Sequence, residues 1–140
     1  MQWAVAYYQA PDGSIPGRDF LLSSPNNVAA NLFAVLEAVR AAPPPAFSGG
    51  GKWEAMHGAM AGYYEIRGTG PGRLHYRLFC RLENGTTAEL KALGFDEPQI
   101  VVINGMVKKN ASLFTDRQYK KHVRDLGDDY LSRTPRPVAE

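Results

Sequence analysis

The chain has 140 residues, of which 44% are apolar and 21% are charged, and its net charge is +2 at neutral pH. This composition excludes a disordered or fibrous chain and predicts one globular domain that buries a core of its own. The single cysteine, Cys80, excludes an intrachain disulfide, and no Cys or His cluster has the spacing of a metal site. No apolar run approaches the roughly 20 residues that cross a bilayer, and the N-terminus lacks the features of a signal peptide. We therefore expect a soluble, cytoplasmic protein that uses no cofactor or metal and contacts no membrane.

The net charge conceals an uneven distribution. Residues 1–50 hold two basic and three acidic side chains, whereas residues 100–136 hold eight basic and four acidic ones. A basic C-terminal half indicates a polyanionic partner, because phosphate groups gain from neutralisation and from counterion release. A solvated basic face without a partner explains the same distribution equally well.

The N-terminal half predicts a strand followed by a helical layer. Residues 3–9 alternate and are rich in aromatic residues, which favours a strand, and residues 18–22 predict a short helix. Ser24 is expected to cap a longer helix, with Pro25 at its first position. The apolar residues of that helix recur at helical spacing, as Val28, Leu32, Val35, Leu36 and Val39. The prolines at 43–45 then end it.

Residues 48–51, Ser-Gly-Gly-Gly, lack the remaining residues of a phosphate-binding loop and are interpreted as a flexible connection. A helical turn or two is expected within residues 53–60. Residues 63–67 are β-prone and predict a strand, and the glycine-rich residues 68–72 predict a hairpin loop.

The C-terminal half predicts two more strands and a helix. Residues 75–82 alternate, and the continuous apolar run at residues 100–103 is typical of a central strand buried on both faces. Residues 86–99 are expected to be irregular, with a helical turn around Leu90. Thr115 and Gln118 have the spacing of a capping box, which predicts a final helix. We expect one domain over residues 1–131 and a flexible tail over residues 132–140.

Four short motifs occur in the order found in a known toxin family. Tyr64-Glu65-Ile66-Arg67 and Tyr76-Arg77-Leu78-Phe79-Cys80 are similar to two strands of the RelE/HigB toxins of type II toxin–antitoxin systems. The segment from Val102 to Lys109 is similar to the segment before their last helix, and the segment from Val5 to Phe20 resembles the phage-derived Gp49-like branch. The resemblance implies a RelE-like α+β fold, with a small antiparallel sheet of about four strands, an N-terminal helical layer and a C-terminal helix.

Members of this family cleave mRNA, usually on the ribosome and without a metal, so the resemblance implies a metal-independent endoribonuclease. In such a reaction the ribose 2′-hydroxyl attacks the adjacent phosphate, which needs a base, cations on the phosphorane and an acid for the leaving oxygen. The catalytic candidates are Arg67, Arg77, Lys108 and Lys109, because arginine grips two phosphate oxygens and a lysine among cations can lose its proton. The substrate-binding candidates are His75, Arg81, Lys120 and Lys121.

Further acid–base candidates have structural alternatives. Glu65, His122 and Tyr130 could transfer protons, but Tyr130 could equally pack in the core and His122 could lie on a helix surface. Arg67 could instead form an ion pair with Glu65 or Glu54 on the sheet surface.

The sequence is compatible with three hypotheses about the function of the chain. The first is the nuclease toxin, whose partners are ribosome-bound mRNA and a cognate antitoxin, expected to be a helix-turn-helix protein. The second is a ParE-like toxin that binds gyrase without cutting RNA, and the third is an inactive phage-derived relic. The cation set favours the first reading, whereas the absence of an obvious His-Tyr acid–base pair after Lys109 keeps the third open.

Overall fold

The computed structural model describes residues 3–42, 52–109 and 114–139, in which helices lie on both faces of one sheet. The strands are β1 (Ala4–Tyr8), β2 (Trp53–Ala55), β3 (Tyr63–Gly70), β4 (Leu74–Glu83), β5 (Gln99–Lys109) and β6 (Val138–Ala139). The helices are α1 (Pro16–Ser23), α2 (Asn26–Ala41), α3 (Thr87–Ala92), α4 (Asp116–Tyr119) and α5 (Asp125–Ser132). A π-helical turn (Lys120–Arg124) joins α4 to α5, and short 3-10 turns lie at Gly58–Met60 and Pro71–Arg73.

The sheet has the strand order β2-β3-β4-β5-β1-β6. The strands β2 to β5 pair antiparallel, whereas β1 pairs parallel with β5 and antiparallel with β6. The α+β class is confirmed, but the expectation of about four antiparallel strands is corrected to six strands in a mixed sheet. The N-terminal strand reaches its parallel position because α1 and α2 carry the chain across the sheet before β2 begins. An alternating pattern in the sequence predicts that a segment is a strand, but it does not predict with which other strand that segment pairs.

One face of the sheet is covered by α1 and α2. The predicted apolar stripe of α2 is fully or nearly buried against this face, together with Ile66, Leu78 and Ile100. The predicted cap is wrong, however, because Ser24 Oγ donates to the Phe20 carbonyl at 2.8 Å and α2 begins at Asn26. A serine hydroxyl readily bonds to a carbonyl four residues earlier, and here that bond closes the end of α1.

The opposite face is covered by α4, the π-helical turn and α5. The second core cluster contains Phe79 and Ile103 of the sheet with Val123 and Tyr130 of the helical segment. The capping box is confirmed, since Thr115 Oγ1 accepts from the Gln118 amide at 3.1 Å. The run at residues 100–103 is buried on both faces as predicted, because its side chains alternate between the two clusters.

The hairpin between β3 and β4 is longer and tighter than predicted. The expected loop at residues 68–72 is mostly strand, since β3 continues to Gly70 and only Pro71–Arg73 makes the turn. A Cβ at Gly68 would lie 3.2 Å from the Leu32 side chain, so a glycine lets α2 pack closely on the strand. Glycines that suggest a loop in the sequence are here the residues that let a helix approach.

Two other segments differ from expectation. Residues 53–60, where a helical turn or two was expected, contain the strand β2 followed by one 3-10 turn. After Ser132, where a flexible tail was expected, Val138–Ala139 pairs with β1 and Arg136 forms an ion pair with Glu83 at 3.4 Å. Both contacts join residues far apart in the sequence, which local patterns do not reveal. The helices within the described ranges lack the length and apolar character needed to cross a bilayer.

The stability of the fold should depend on α2 packing. Leu32 is fully buried in the cluster beneath α2, whereas the adjacent Phe33 is 44% exposed. We expect Leu32→Ala to lower the free energy of unfolding by about 2–5 kcal/mol, because it leaves a cavity in a packed core. The matched variant Phe33→Ala should cost much less. Urea unfolding followed by circular dichroism measures both, and equal losses would contradict this packing.

Candidate functional site

The two predicted catalytic arginines lie side by side on the face of the sheet that carries the C-terminal helical segment. Arg67 of β3 is the direct cross-strand partner of Arg77 of β4. Both side chains share the face of Phe79, because alternate residues of a strand point the same way. Sequence patterns placed these arginines on two strands, and the strand register brings them together.

Glu65 lies between the two guanidinium groups. Its carboxylate accepts a hydrogen bond from Arg67 Nε at 2.6 Å and lies 3.9 Å from Arg77 Nε. Arg67 Nη2 donates in addition to Glu54 Oε2 on β2 at 2.9 Å. The structure therefore contains the ion pairs of Arg67 with Glu65 and Glu54 that the sequence analysis gave as the structural alternative to a catalytic role. We call Glu54, Glu65, Arg67 and Arg77 the arginine cluster.

The arginine cluster pairs two guanidinium groups with two carboxylates, so its formal charges balance. Like charges directly opposite on neighbouring strands repel, and Glu65 offsets this repulsion between Arg67 and Arg77. The hydrogen bond to Glu65 raises the pKa of Arg67, whereas burial lowers the pKa of Arg77. Arginine nevertheless keeps its charge throughout the ordinary pH range. The Arg77 side chain is only 13% exposed, its guanidinium donates to the Gly68 and Tyr76 carbonyls, and Arg77 Nε lies 3.9 Å from the Glu65 carboxylate.

The two lysines do not converge as predicted. Lys108 pairs across β4 and β5 with His75, so these two side chains share the face of Arg77. Lys108 Nζ lies 5.8 Å from the centre of the Phe114 ring. Lys109 pairs with Leu74 and points to the other face. Consecutive residues of a strand always diverge in this way, so only Lys108 belongs to the site.

Tyr119 is a site residue that the sequence analysis did not single out, because its spacing with Val123, Leu126 and Tyr130 is that of the buried stripe of a helix. Its ring contacts Phe79 edge to face at 5.8 Å, beside the arginine cluster. Burial raises the pKa of Tyr119 and the Glu65 carboxylate raises it further, while both arginines oppose the shift. The phenol is therefore protonated at neutral pH. The sequence feature that could have indicated this role is a tyrosine, rather than an aliphatic residue, in a helix stripe that packs against a strand with charged residues.

Two of the other predicted substrate-binding cations, Arg81 and Lys120, contact residues outside the arginine cluster. Arg81 lies on the same strand and face as Arg77, but it is separated from it by about 13 Å of strand and stacks on Tyr63 at 4.8 Å. Lys120 and Lys121 lie on the π-helical turn, where both are exposed and Lys120 pairs with Asp125 at 2.9 Å.

Two of the further acid–base candidates lie outside the site. Tyr130 is fully buried and donates to Glu83 Oε2 at 2.6 Å, and burial raises its pKa. His122 is exposed, and its carbonyl accepts from Asn104 Nδ2 at 2.9 Å. Glu65 is the one of the three that belongs to the site. Within the described ranges, no group of three or more His, Cys, Asp or Glu side chains is arranged to hold a metal ion.

Comparisons of the chain with protein-family models, with curated proteins and with solved structures found no match. The fold and the site therefore define the class of the protein only as far as an α+β protein with paired arginines on one sheet face. The arginine pair shares its sheet face with Lys108 and His75, and the Tyr119 ring packs beside it.

Proposed function

We propose that this chain is the toxin of a toxin–antitoxin pair, a RelE/HigB-like endoribonuclease that cleaves ribosome-bound mRNA without a metal. The observation that carries the proposal is the cross-strand pair of Arg67 and Arg77, with Glu65 between them and Tyr119 beside them. The resemblance of the strand motifs to the RelE/HigB toxins supports the same reaction. The partners of the proposal are mRNA on the ribosome and a cognate antitoxin of the helix-turn-helix type.

The arginines supply the charge that the reaction needs. Attack of the 2′-oxygen on the adjacent phosphorus forms a phosphorane whose equatorial oxygens carry extra negative charge. The guanidinium of Arg77 binds two such oxygens, and it is held in place by hydrogen bonds to the Gly68 and Tyr76 carbonyls. A phosphate also competes with Glu54 for Arg67, whose ion pair to Glu54 is exposed and weak.

Proton transfer completes the reaction. Tyr119 donates its phenolic proton to the leaving 5′-oxygen, since its raised pKa keeps it protonated. Glu65, which bonds to Arg67, and Lys108, which shares the sheet face of Arg77, are our candidates for accepting the proton of the 2′-hydroxyl. The variants Glu65→Gln and Lys108→Met separate them, because only loss of the true base removes the acidic limb of the pH–rate profile.

The decisive experiment is inducible expression of the chain followed by mapping of RNA ends. Growth arrest with new 5′-ends at defined positions in translated mRNA supports the proposal. Growth arrest with intact mRNA and inhibited gyrase would replace it by the gyrase-binding function.

The role of Tyr119 has a specific test. We expect Tyr119→Phe to lower kcat for RNA cleavage by about 100-fold or more while KM changes little, because a general acid acts in the transition state. Tyr64→Phe is the matched control, since Tyr64 stacks on Trp53 at 4.9 Å, away from the site. A Tyr119→Phe variant with unchanged kcat would exclude the phenol as proton donor.

A further inference from the structure

A cavity of about 350 Å³ lies next to the arginine cluster, at the outer edge of β3. It exists because β2 is short. The last backbone contact on this side joins the Arg67 amide to the Lys52 carbonyl, and no described strand pairs with this edge of β3 beyond it. Among the described residues, the space between the edge of β3 and α2 is left open, and its volume is at the lower end of the range that ligand sites occupy.

The cavity has two chemically different walls. One wall carries three cations, namely Lys52, Arg67 and Arg77, and none of the described residues that line the cavity is acidic. The Arg67 guanidinium is at the same time ion-paired with Glu65 and Glu54. The other wall belongs to α2 and presents the exposed Asn31 amide next to the largely buried Val35. A cationic wall binds phosphate, and an amide beside an apolar group can bond to and pack against the edge of a nucleobase.

Thr69 also lines the cavity. Single-stranded RNA exposes unstacked bases whose edges form hydrogen bonds with amide side chains. Each base is linked through its ribose to a phosphate a short distance away. A ligand with one phosphate and one base therefore matches the two walls better than a free anion, which would leave the α2 wall unused.

We propose that this cavity binds one nucleotide of single-stranded RNA next to the scissile phosphate, with its phosphate on Lys52 and its base on Asn31. This inference rests on the proposed function, because Arg67 and Arg77 line both the cavity and the arginine cluster. The cavity then determines which base is accepted beside the cut, through the hydrogen bonds of the Asn31 amide. The substrate thus enters between α2 and the edge of β3.

The test measures binding and not cleavage. The probe is a short 2′-fluoro RNA, which has no attacking hydroxyl, and fluorescence anisotropy gives its Kd for the full chain. We expect Asn31→Ala to weaken binding by about fivefold or more and to reduce the preference between bases. Lys52→Met should lower the slope of log K against log salt by about 0.7, as expected when one phosphate contact is lost.

Matched controls lie outside the cavity. Asn27→Ala changes an exposed asparagine one turn earlier on α2, and Lys91→Met changes an exposed lysine on α3. Asn31 and Lys52 are exposed as well, so their substitution should leave the melting temperature nearly unchanged. If both cavity variants bind the probe like the controls, the cavity inference is wrong, even if the wild-type chain cleaves RNA.

Inorganic phosphate serves as a second probe. If phosphate displaces the RNA equally well from the wild type and from Asn31→Ala, and if the base preference is unchanged in that variant, the cavity binds an anion only and the inference fails. If Asn31-dependent binding is found but no RNA is cut, the proposed nuclease function fails and the nucleotide site stands.

Discussion

We expect Arg77→Ala to lower the rate of RNA cleavage by about 100- to 1,000-fold and to abolish growth arrest. The reason is the position of the guanidinium: the side chain is 13% exposed, the guanidinium donates to two backbone carbonyls, and Nε lies 3.9 Å from the Glu65 carboxylate. Its loss removes the charge that stabilises the phosphorane. Single-turnover cleavage of an RNA substrate by the purified variant measures the effect.

Two further variants make this result specific. Arg81→Ala removes an arginine from the same strand and face, but one that stacks on Tyr63, so cleavage should fall far less. Arg77→Lys keeps the charge but loses the planar fork, and it should restore only part of the activity. A folded Arg77→Ala variant that cleaves RNA at the wild-type rate would remove Arg77 from the mechanism.

The second large effect concerns the substrate. We expect an RNA with one 2′-deoxy sugar at the scissile position to be uncut, since the proposed nucleophile is missing. Products of the unmodified RNA should carry a 2′,3′-cyclic or 3′-phosphate, and cleavage should persist in excess EDTA. These outcomes follow because cationic side chains, rather than a metal-activated water, perform the charge stabilisation in the proposed mechanism.

The readouts are mass spectrometry of the product ends and gel analysis of the two substrates. The control substrate carries its deoxy sugar one position away and should be cut normally. Cleavage of the scissile-deoxy RNA at an equal rate, or loss of cleavage in EDTA, would overturn the mechanism while leaving the fold as it is.

The elements that the sequence predicted well are those whose signal is local. The apolar stripe of α2 and the capping box at Thr115 are each contained within one or two helical turns, so their spacing reports the structure directly. The same holds for the alternation in β4 and for the apolar run at residues 100–103 in β5. The two strands that carry Arg67 and Arg77 were likewise recognisable from short local motifs.

Strand pairing was less predictable, because it depends on residues distant in the chain. Neither the parallel pairing of β1 with β5 nor the addition of β6 to the sheet leaves a local pattern. The extension of β3 through Gly68 could not be predicted for the same reason. A glycine is needed there because the Leu32 side chain of α2 packs closely on the strand, and this contact joins residues distant in the chain.

The site shows the same division. By itself the sequence determined which residue types are present and that Arg67 and Arg77 lie on successive strands, because alternation and turn residues are local properties. Only the tertiary structure decided that these arginines are direct partners, that Lys108 and not Lys109 joins them, and that Tyr119 reaches the same face. These positions depend on the strand register and on how the helices pack on the sheet. Both are determined by the burial of apolar side chains over the whole sheet rather than by any single segment.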